Sequence, residues 1–304
     1  MHVRRDNMKV FIKHLVSIIG RRHPELLVRI RYRLRFHKRL NLDNPVDLNE
    51  KIEYLSLRTD TSEWTRLSDK YLVRDYVREC GLEPILNKLY GVWDSADDID
   101  FDLLPDKFVL KTTHGSGDAI FITDKAAADI DKIRKKINAT LHETYGLAEG
   151  NLHYSRIRPR VVAEELLEND PVSAKYSKSL IDYKIWCFDG KAEYVWACTD
   201  RTSKGTKVMT YDPEWNAHPE YSVFTKHYMR DEIIPKPKNL DQMLETAQKL
   251  SKPFPVVRVD LYNLDGRIVF GEMTFTSLGG LMNFYTKDFL EKTGAMISLP
   301  ARTC

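Results

Sequence analysis

Cysteine is scarce in this chain of 304 residues: there are four, Cys80, Cys187, Cys198 and Cys304, and no pair has Cys-x-x-Cys or other metal-binding spacing. So few and so scattered, they exclude a disulfide-built scaffold and read as reduced thiols in a cytoplasmic protein. Long apolar runs are also missing. A membrane helix needs roughly 18 such residues, and the best stretch, Val10 to Ile19, is broken by Lys13 and His14. No charged-then-apolar-then-small cleavage pattern opens the chain, so secretion is not expected. There is no internal repeat and no low-complexity tract. What the chain has in quantity is apolar residues, 42%, with 30% charged, enough to bury a core and too apolar for disorder. Its length suits one large α/β domain or two smaller ones.

The net charge of +3 hides an asymmetry. Residues 1–40 hold twelve Lys or Arg against Asp6 and Glu25, which leaves 35 basic and 42 acidic residues for the rest. A basic helical block of this kind can meet an anionic membrane surface or a polyanionic polymer, which would put a cytoplasmic protein at the inner face of the membrane. It can equally be a solvated face whose Leu and Ile stripe packs on the main domain. Nucleic acid is not expected: no recognised fold signature is present, and Arg29, Arg31, Arg33 and Arg35 alternate with apolar residues without a stacking platform.

The patterning predicts two basic helices over 8–40, broken around Gly20 and Pro24. Asp47 with Glu50 forms a capping box for a helix to Leu57. Ser68 caps a helix to Cys80, ended by Gly81. Further helices are expected at 127–145 and, capped by Asn239 with Gln242, to Leu250. Strands are expected at 108–111, 119–123, 161–167, 180–188, 192–198, 207–211, 256–262 and 267–273. Strands and helices mix without strict alternation, which favours α+β layers over a doubly wound parallel sheet.

Two stretches carry chemistry. In Lys111-Thr-Thr-His-Gly-Ser-Gly-Asp118 a glycine loop joins two strands. It is no P-loop, lacking Gly-Lys-Ser/Thr, and no dinucleotide fingerprint, because a strand follows where a helix is required. A hairpin of this kind can fold over a triphosphate, with backbone N–H groups on the oxygens and Lys111 beside them; Gly-Ser-Gly also occurs in plain turns. The second stretch is the hairpin from Val256 to Thr274. A three-residue loop Leu264-Asp265-Gly266, with a bulge at Gly266, pairs Asn263 with Arg267, Asp260 with Phe270 and Arg258 with Glu272. Arg258, Asp260, Glu272 and Thr274 then share one face, while Val257, Val259, Leu261, Val269 and Met273 face the core. Asp260 and Glu272 become diagonal neighbours about 7–8 Å apart. Two carboxylates that close need a cation between them. A hard ion such as Mg²⁺ on ATP phosphates supplies it; the plain alternative is Arg258 neutralising Glu272.

With both pieces present, the sequence resembles the TupA-like ATP-grasp family, linked with teichuronopeptide, capsule and other surface polysaccharides. The matching stretches are NPVDLNEKIEYL (44–55), SDKYLVRDYV (68–77), LPDKFVLKTTHGSGDAI (104–120), RPRVVAEELLE (158–168), DYKIWCFDGK (182–191), Asp200-Arg201 and VRVDLY…GEMTFTSLGG (257–280). The resemblance implies an α+β, ATP-grasp fold, with a lid subdomain and a larger antiparallel-sheet subdomain behind a basic helical N-terminal extension. It divides the chain into 1–66 (basic helical region), 67–163 (pre-lid and lid) and 164–304 (C-terminal subdomain). It implies ATP and Mg²⁺ as cofactors. Lys70 and Lys111 would contact phosphates, and His114, Gly115, Ser116 and Gly117 would close over them. Glu164, Glu165, Leu166 and Leu167 resemble the hinge that holds adenine, with Glu168 or Asp170 reaching the ribose. Asp182, Lys184 and Arg201 resemble catalytic charged positions at the acyl-phosphate site. Asp260, Glu272 and Thr274 match the metal ligands, Thr274 standing where many ATP-grasp enzymes have Asn.

What this implies is an ATP-dependent carboxylate–amine ligase of polysaccharide biosynthesis, joining glycan- or amino-acid-derived carboxylate and amine substrates. Kinase chemistry would use the same parts. Glycosyl transfer would use the acidic run 97–102, which also reads as a solvated connector. Trp186 and Trp196 are expected in the core.

Overall fold

The computed structural model describes residues 15–300. The start of the basic block, residues 1–14, and Cys304 lie outside the described residues. Residues 15–22 are helical, and after His23 the chain enters α1 (Pro24–Phe36), with Pro24 at its first turn and His37 closing it in the left-handed region at φ 55°. Its buried residues are Leu27, Val28 and Tyr32. The alternative of a Leu and Ile stripe packed on the main domain is met only in part: Leu27 is buried, but Leu26, Ile30 and Leu34 are exposed. Part of the basic charge is used internally, Arg29 on Glu25 at 2.8 Å and Lys38 on Asp47 at 2.8 Å.

The capping box forms as expected. Asp47 Oδ1 accepts from Glu50 N at 2.9 Å, and Glu50 Oε2 accepts from Val46 N at 3.0 Å, opening α2 (Leu48–Arg58). A helix not expected from the sequence, α3 (Ser62–Ser68), comes first, and the helix expected from Ser68 to Cys80 starts only at Val73, as α4 (Val73–Glu79). Asp69 separates them: its buried carboxylate accepts from Tyr71 N and Leu72 N and pairs with Arg160 at 3.0 Å, satisfying donors that a continuous helix would have used. Gly81, at φ +72°, ends the unit as expected.

Two antiparallel-type sheets follow. The smaller contains β1 (Leu89–Trp93), β2 (Phe108–Thr112), β3 (Ile120–Ile122) and β4 (Val161–Glu165) in the order β1-β4-β2-β3. Helix α5 (Ile130–Leu141), capped by Asp129, lays Ile137 and Leu141 on Phe108, Leu110, Val161 and Ala163. After the short α6 (Leu152–Ser155) comes the larger sheet of β5 (Asp182–Phe188), β6 (Lys191–Thr202), β7 (Gly205–Tyr211), β8 (Tyr228–Arg230), β9 (Val256–Leu264) and β10 (Arg267–Thr274). Its order is β10-β9-β5-β6-β7-β8, antiparallel except for β7 with β8. Helix α7 (Leu240–Ser251) packs on it, and α8 (Lys287–Gly294) closes the described chain. β1 and β8 were not legible as strands: one is five half-buried residues broken by Gly91, the other three mostly exposed ones.

The small core draws on residues 96–163. Helices α1 to α4 instead share the large core through Val28, Tyr32, Ile52, Leu67 and Val77, so the helical N-terminal part is built onto the larger sheet. Trp186 and Trp196 are in that core as expected. The acidic run is the connector into β2: Asp97, Asp98, Asp100 and Asp102 are exposed, and Asp100 caps a single 3₁₀ turn.

One core group is out of place. Glu53 of α2 is 1% exposed, and neither carboxyl oxygen has a hydrogen-bond partner among the described residues. Burial pushes its pKa from 4.5 up to about 8, against the pull of Arg31. The folded state therefore keeps a proton that the unfolded chain releases, and stability falls between those two values by about 1.4 kcal/mol per pH unit. Glu53→Gln is expected to raise Tm more at pH 8 than at pH 5. An equal shift at both pH values in paired thermal melts would contradict a neutral buried carboxyl.

Candidate active site

The site begins with the pairing of three strands. In the large sheet Lys184 of β5 lies opposite Asp260 of β9, and Asp260 lies opposite Glu272 of β10, so the three make one row across adjacent strands. The next row is Trp186, Arg258 and Thr274. The hairpin register differs from the expected one. Leu264 pairs with Arg267, leaving a two-residue Asp265-Gly266 turn with both φ values positive, at 47° and 97°. The bulge sits at Gly271 instead, where an added Cβ would be 2.9 Å from Asp260 O. Asp260 and Glu272 are thus directly opposite, not diagonal. The shared face of Arg258, Asp260, Glu272 and Thr274, and the apolar face behind it, are as expected.

Charges alternate through this patch. Arg201 Nη2 is 2.8 Å from Asp182 Oδ2, which is 2.7 Å from Lys184 Nζ. Lys184 also pairs with Asp260, whose Oδ1 and Oδ2 accept from Arg258 Nε and Nη2 at 2.7 and 2.8 Å. Arg258 Nη2 then reaches Glu272 Oε1 at 3.2 Å and Thr274 Oγ1 at 3.1 Å, while Nη1 donates to Ser277 Oγ at 2.7 Å. Burial alone would raise the Asp260 carboxyl; Arg258 and Lys184 outweigh it and hold it well below the usual carboxylate range. Burial likewise lowers Lys184, but Asp182 and Asp260 reverse this and raise it, so the ammonium stays charged in a buried position. Arg258 was not singled out as a site residue from the sequence. Its place two residues before Asp260 on the polar face was the available signal.

The glycine loop approaches from the small sheet. Lys70 lies beneath it, donating to Thr112 O at 2.9 Å and to Gly115 O. Burial lowers the Lys70 pKa, partly offset by Asp118 and Glu272. Asp118 Oδ2 accepts from Thr112 N at 2.9 Å and would lie 2.9 Å from a Cβ at position 115, which explains Gly115; Gly117 has φ +74°. Lys111 Nζ pairs with Glu164 Oε2 at 3.0 Å, and Glu164 also meets Arg74 and Asn87. Burial would raise Glu164, but Lys111 chiefly, with Asn87 and Arg74, brings it below its ordinary value. Beyond β4, Leu166 and Leu167 leave the sheet with no backbone hydrogen bond among the described residues.

These pieces surround one cavity of ≈ 290 Å³. Lys70, Lys111, Gly115, Ser116, Gly117, Glu164, Glu165, Leu166, Leu167, Asp182, Lys184, Arg201, Asp260 and Glu272 all line it. Four expected residues do not, Asp170 among them. His114 is buried, with Nε2 3.0 Å from Glu143 O. Glu168 is exposed and pairs with Lys107 at 2.6 Å. Thr274 donates to Glu272 Oε1 at 3.1 Å and lines an adjoining cavity. Unforeseen apolar wall residues are Val109, Phe121, Leu180 and Phe270, which line the cavity with the unpaired Leu166–Leu167 backbone.

The wall offers five cations, Lys70, Arg74, Lys111, Lys184 and Arg201, against six carboxylates, Asp118, Glu164, Glu165, Asp182, Asp260 and Glu272. A triphosphate entering it needs a cation of its own. Among the described residues no three His, Cys, Asp or Glu side chains form a ready metal cluster. Asp260 Oδ1 keeps a lone pair, and Glu272 Oε2 has no hydrogen-bond partner among the described residues in a side chain 51% exposed. Two such oxygens, completed by phosphate and water, suit Mg²⁺.

A model of the TupA-like ATP-grasp family matches residues 50–298. No curated protein matches the chain by sequence. Among solved structures, the D-alanine–D-alanine ligase of Bacillus anthracis aligns with TM-score 0.50 and 14% identity, over 83% of this chain and 72% of that one. The corresponding ligase of Helicobacter pylori aligns with TM-score 0.42 and 13% identity, over 84% and 70%. An ADP complex of N5-carboxyaminoimidazole ribonucleotide synthetase aligns with TM-score 0.46 and 12% identity, over 73% and 49%. The first of these shares the fold of this chain. No helix among the described residues is long and apolar enough to cross a membrane.

Proposed function

The chain belongs to the TupA-like ATP-grasp family, and from that premise we propose that it is an ATP-dependent carboxylate–amine ligase working through an acyl phosphate in surface or capsular polysaccharide biosynthesis. Family and fold support ATP-dependent ligase activity; the finer reading rests on the site. The observation that carries it is the single cavity in which the lysines below the glycine loop meet the Lys184–Asp260–Glu272 row.

In this reading adenine lies against Val109, Phe121, Leu180 and Phe270, its edge on the backbone of 166–167. Lys70 and Lys111 face the phosphates beneath the glycine loop. Asp260 and Glu272 would hold Mg²⁺, which would supply charge neutralisation for the phosphates when bound. Arg258 is the positioning residue: bonded to both carboxylates, it keeps two like charges on one face. A substrate carboxylate oxygen attacks the γ-phosphorus and ADP leaves, Lys184 and Arg201 stabilising the charge on the transferring group. An amine then attacks the acyl carbon, loses a proton and expels phosphate, leaving an amide. No side chain needs to act as nucleophile. The acceptor is a uronic-acid glycan or an amino acid joined to one.

The test is ADP release by purified protein across a panel of carboxylates and amines. The expected result is release that depends on both partners and on Mg²⁺, with an amide in the product. A stable phosphorylated product, unchanged by added amine, would establish phosphotransfer in place of ligation.

A further inference from the structure

Behind the nucleotide cavity lies a second, of ≈ 420 Å³, that shares Lys70, Gly115, Ser116, Gly271 and Glu272 with it. The shared wall is where the reacting groups would meet. The wall it does not share includes Arg31 and Arg35 of α1, Glu149, Asn151 and the loop 276–279. We propose that Arg31 and Arg35 form a subsite for an anionic, non-reacting group of a substrate, so that the ligase selects a substrate with one more negative group than the chemistry consumes. The inference deepens the ligase reading and rests on it for which groups react.

Four observations carry it. The two guanidiniums stand one helical turn apart on the same cavity, an arrangement that like charges oppose unless an anion sits between them. Neither makes a salt bridge within the described residues; Arg31 donates to Glu149 O, a backbone group, and Arg35 is exposed. Of the two acids that act on Arg31, Glu149 lines the cavity without forming a salt bridge to it among the described residues, and Glu53 is buried and holds its proton at neutral pH. Finally, Asn151 and Thr276, 4% and 3% exposed, line the same cavity, and Asn151 Oδ1 and Thr276 Oγ1 have no hydrogen-bond partner among the described residues. Orphaned acceptors beside two guanidiniums that make no salt bridge among the described residues fit a ligand that carries both an anion and N–H or O–H donors. The shared chemistry is that of an acidic amino acid or an acidic sugar.

The loop that completes this wall is costly to form. Leu278, Gly279 and Gly280 are consecutive at φ 49°, 65° and 68°, and Leu278 is half-exposed, so no apolar burial offsets its left-handed backbone. A Cβ at Gly279 would lie 3.2 Å from Asn151 Nδ2 and 3.6 Å from Arg31 Nη1, so the loop backbone closes on the two groups assigned to the ligand.

Titration calorimetry on the full chain, with Mg²⁺ and a non-hydrolysable ATP analogue present, tests it with two probe pairs. L-Glutamate against L-glutamine represents the amino-acid source, and digalacturonate against galacturonate the sugar source; each pair differs by one anionic group. Wild type is expected to prefer the more anionic member of one pair by about tenfold. Arg35→Glu, at an exposed position, should abolish that preference, and Arg31→Gln should reduce it. Arg33→Gln, on the same helix but outside the cavity, should keep it. No preference in either pair, or a preference that survives both Arg35→Glu and Arg31→Gln, overturns the subsite. Nucleotide binding is read in the same titrations. A wild type that fails to bind the ATP analogue defeats the ligase reading, while loss of the arginine effect alone defeats only this inference.

Discussion

Asp260→Asn is expected to reduce ADP formation by at least about 10³-fold and to lower Tm by several degrees. The carboxylate is 2% exposed and bonded to both Lys184 and Arg258. An amide keeps the shape but removes the charge that holds two buried cations, and breaking a buried pair this way costs about 3–5 kcal/mol. The burial that Asp260 now offsets would then act on Lys184 with only Asp182 against it, so the ammonium is expected to lose part of its raised pKa. The double variant Lys184→Met/Asp260→Asn removes one orphaned cation and should regain part of the stability without regaining activity. Steady-state assays and thermal melts on the two variants decide it; activity within tenfold of wild type would remove Asp260 from the mechanism.

Glu272→Gln should separate chemistry from stability. Its side chain is half-exposed and touches the network only through Arg258 and Thr274, so unfolding is expected to change by about 0.5 kcal/mol or less. Activity is expected to fall by about 10²-fold or more, with half-maximal rate moved to higher Mg²⁺ concentration, because one of the two carboxylates assigned to the ion is gone. Asp260→Asn should be damaged in both respects, Glu272→Gln in one. A Glu272→Gln enzyme with an unchanged Mg²⁺ dependence would show that the ion is not held there.

Much of the candidate cavity's lining could be read before the fold was known, because its parts are local. The capping box at Asp47, the glycine loop and the polar face of the 256–274 hairpin each lie within a short stretch whose period or turn residues identify it. Where the reading failed, a neighbour distant in sequence decided. Asp69 delays the start of an expected helix to Val73, its carboxylate taken by Tyr71 N, Leu72 N and Arg160. The hairpin register was misread because two glycines competed for the bulge: Asp-Gly suits a tight two-residue turn, so Gly271, pressed on Asp260 O, takes the bulge. His114 and Glu168 belong to motif stretches yet point to Glu143 and Lys107, which no local pattern foretells.

By itself, then, the sequence determined the class of the protein, most of the strands and most of the charged residues that line the cavity, since residue type and spacing are properties of the chain. Only the tertiary structure decided that β5 lies against β9, which sets Lys184 beside Asp260 across 76 residues, and that Arg258 ties the two carboxylates together. It also decided that α1, whose basic charge had suggested a surface for membranes or polymers, turns Arg31 and Arg35 toward the cavity behind the nucleotide site. The physical reason is the same in each case. Strand order and helix docking are chosen by burial summed over the whole core, and that sum has no local signature.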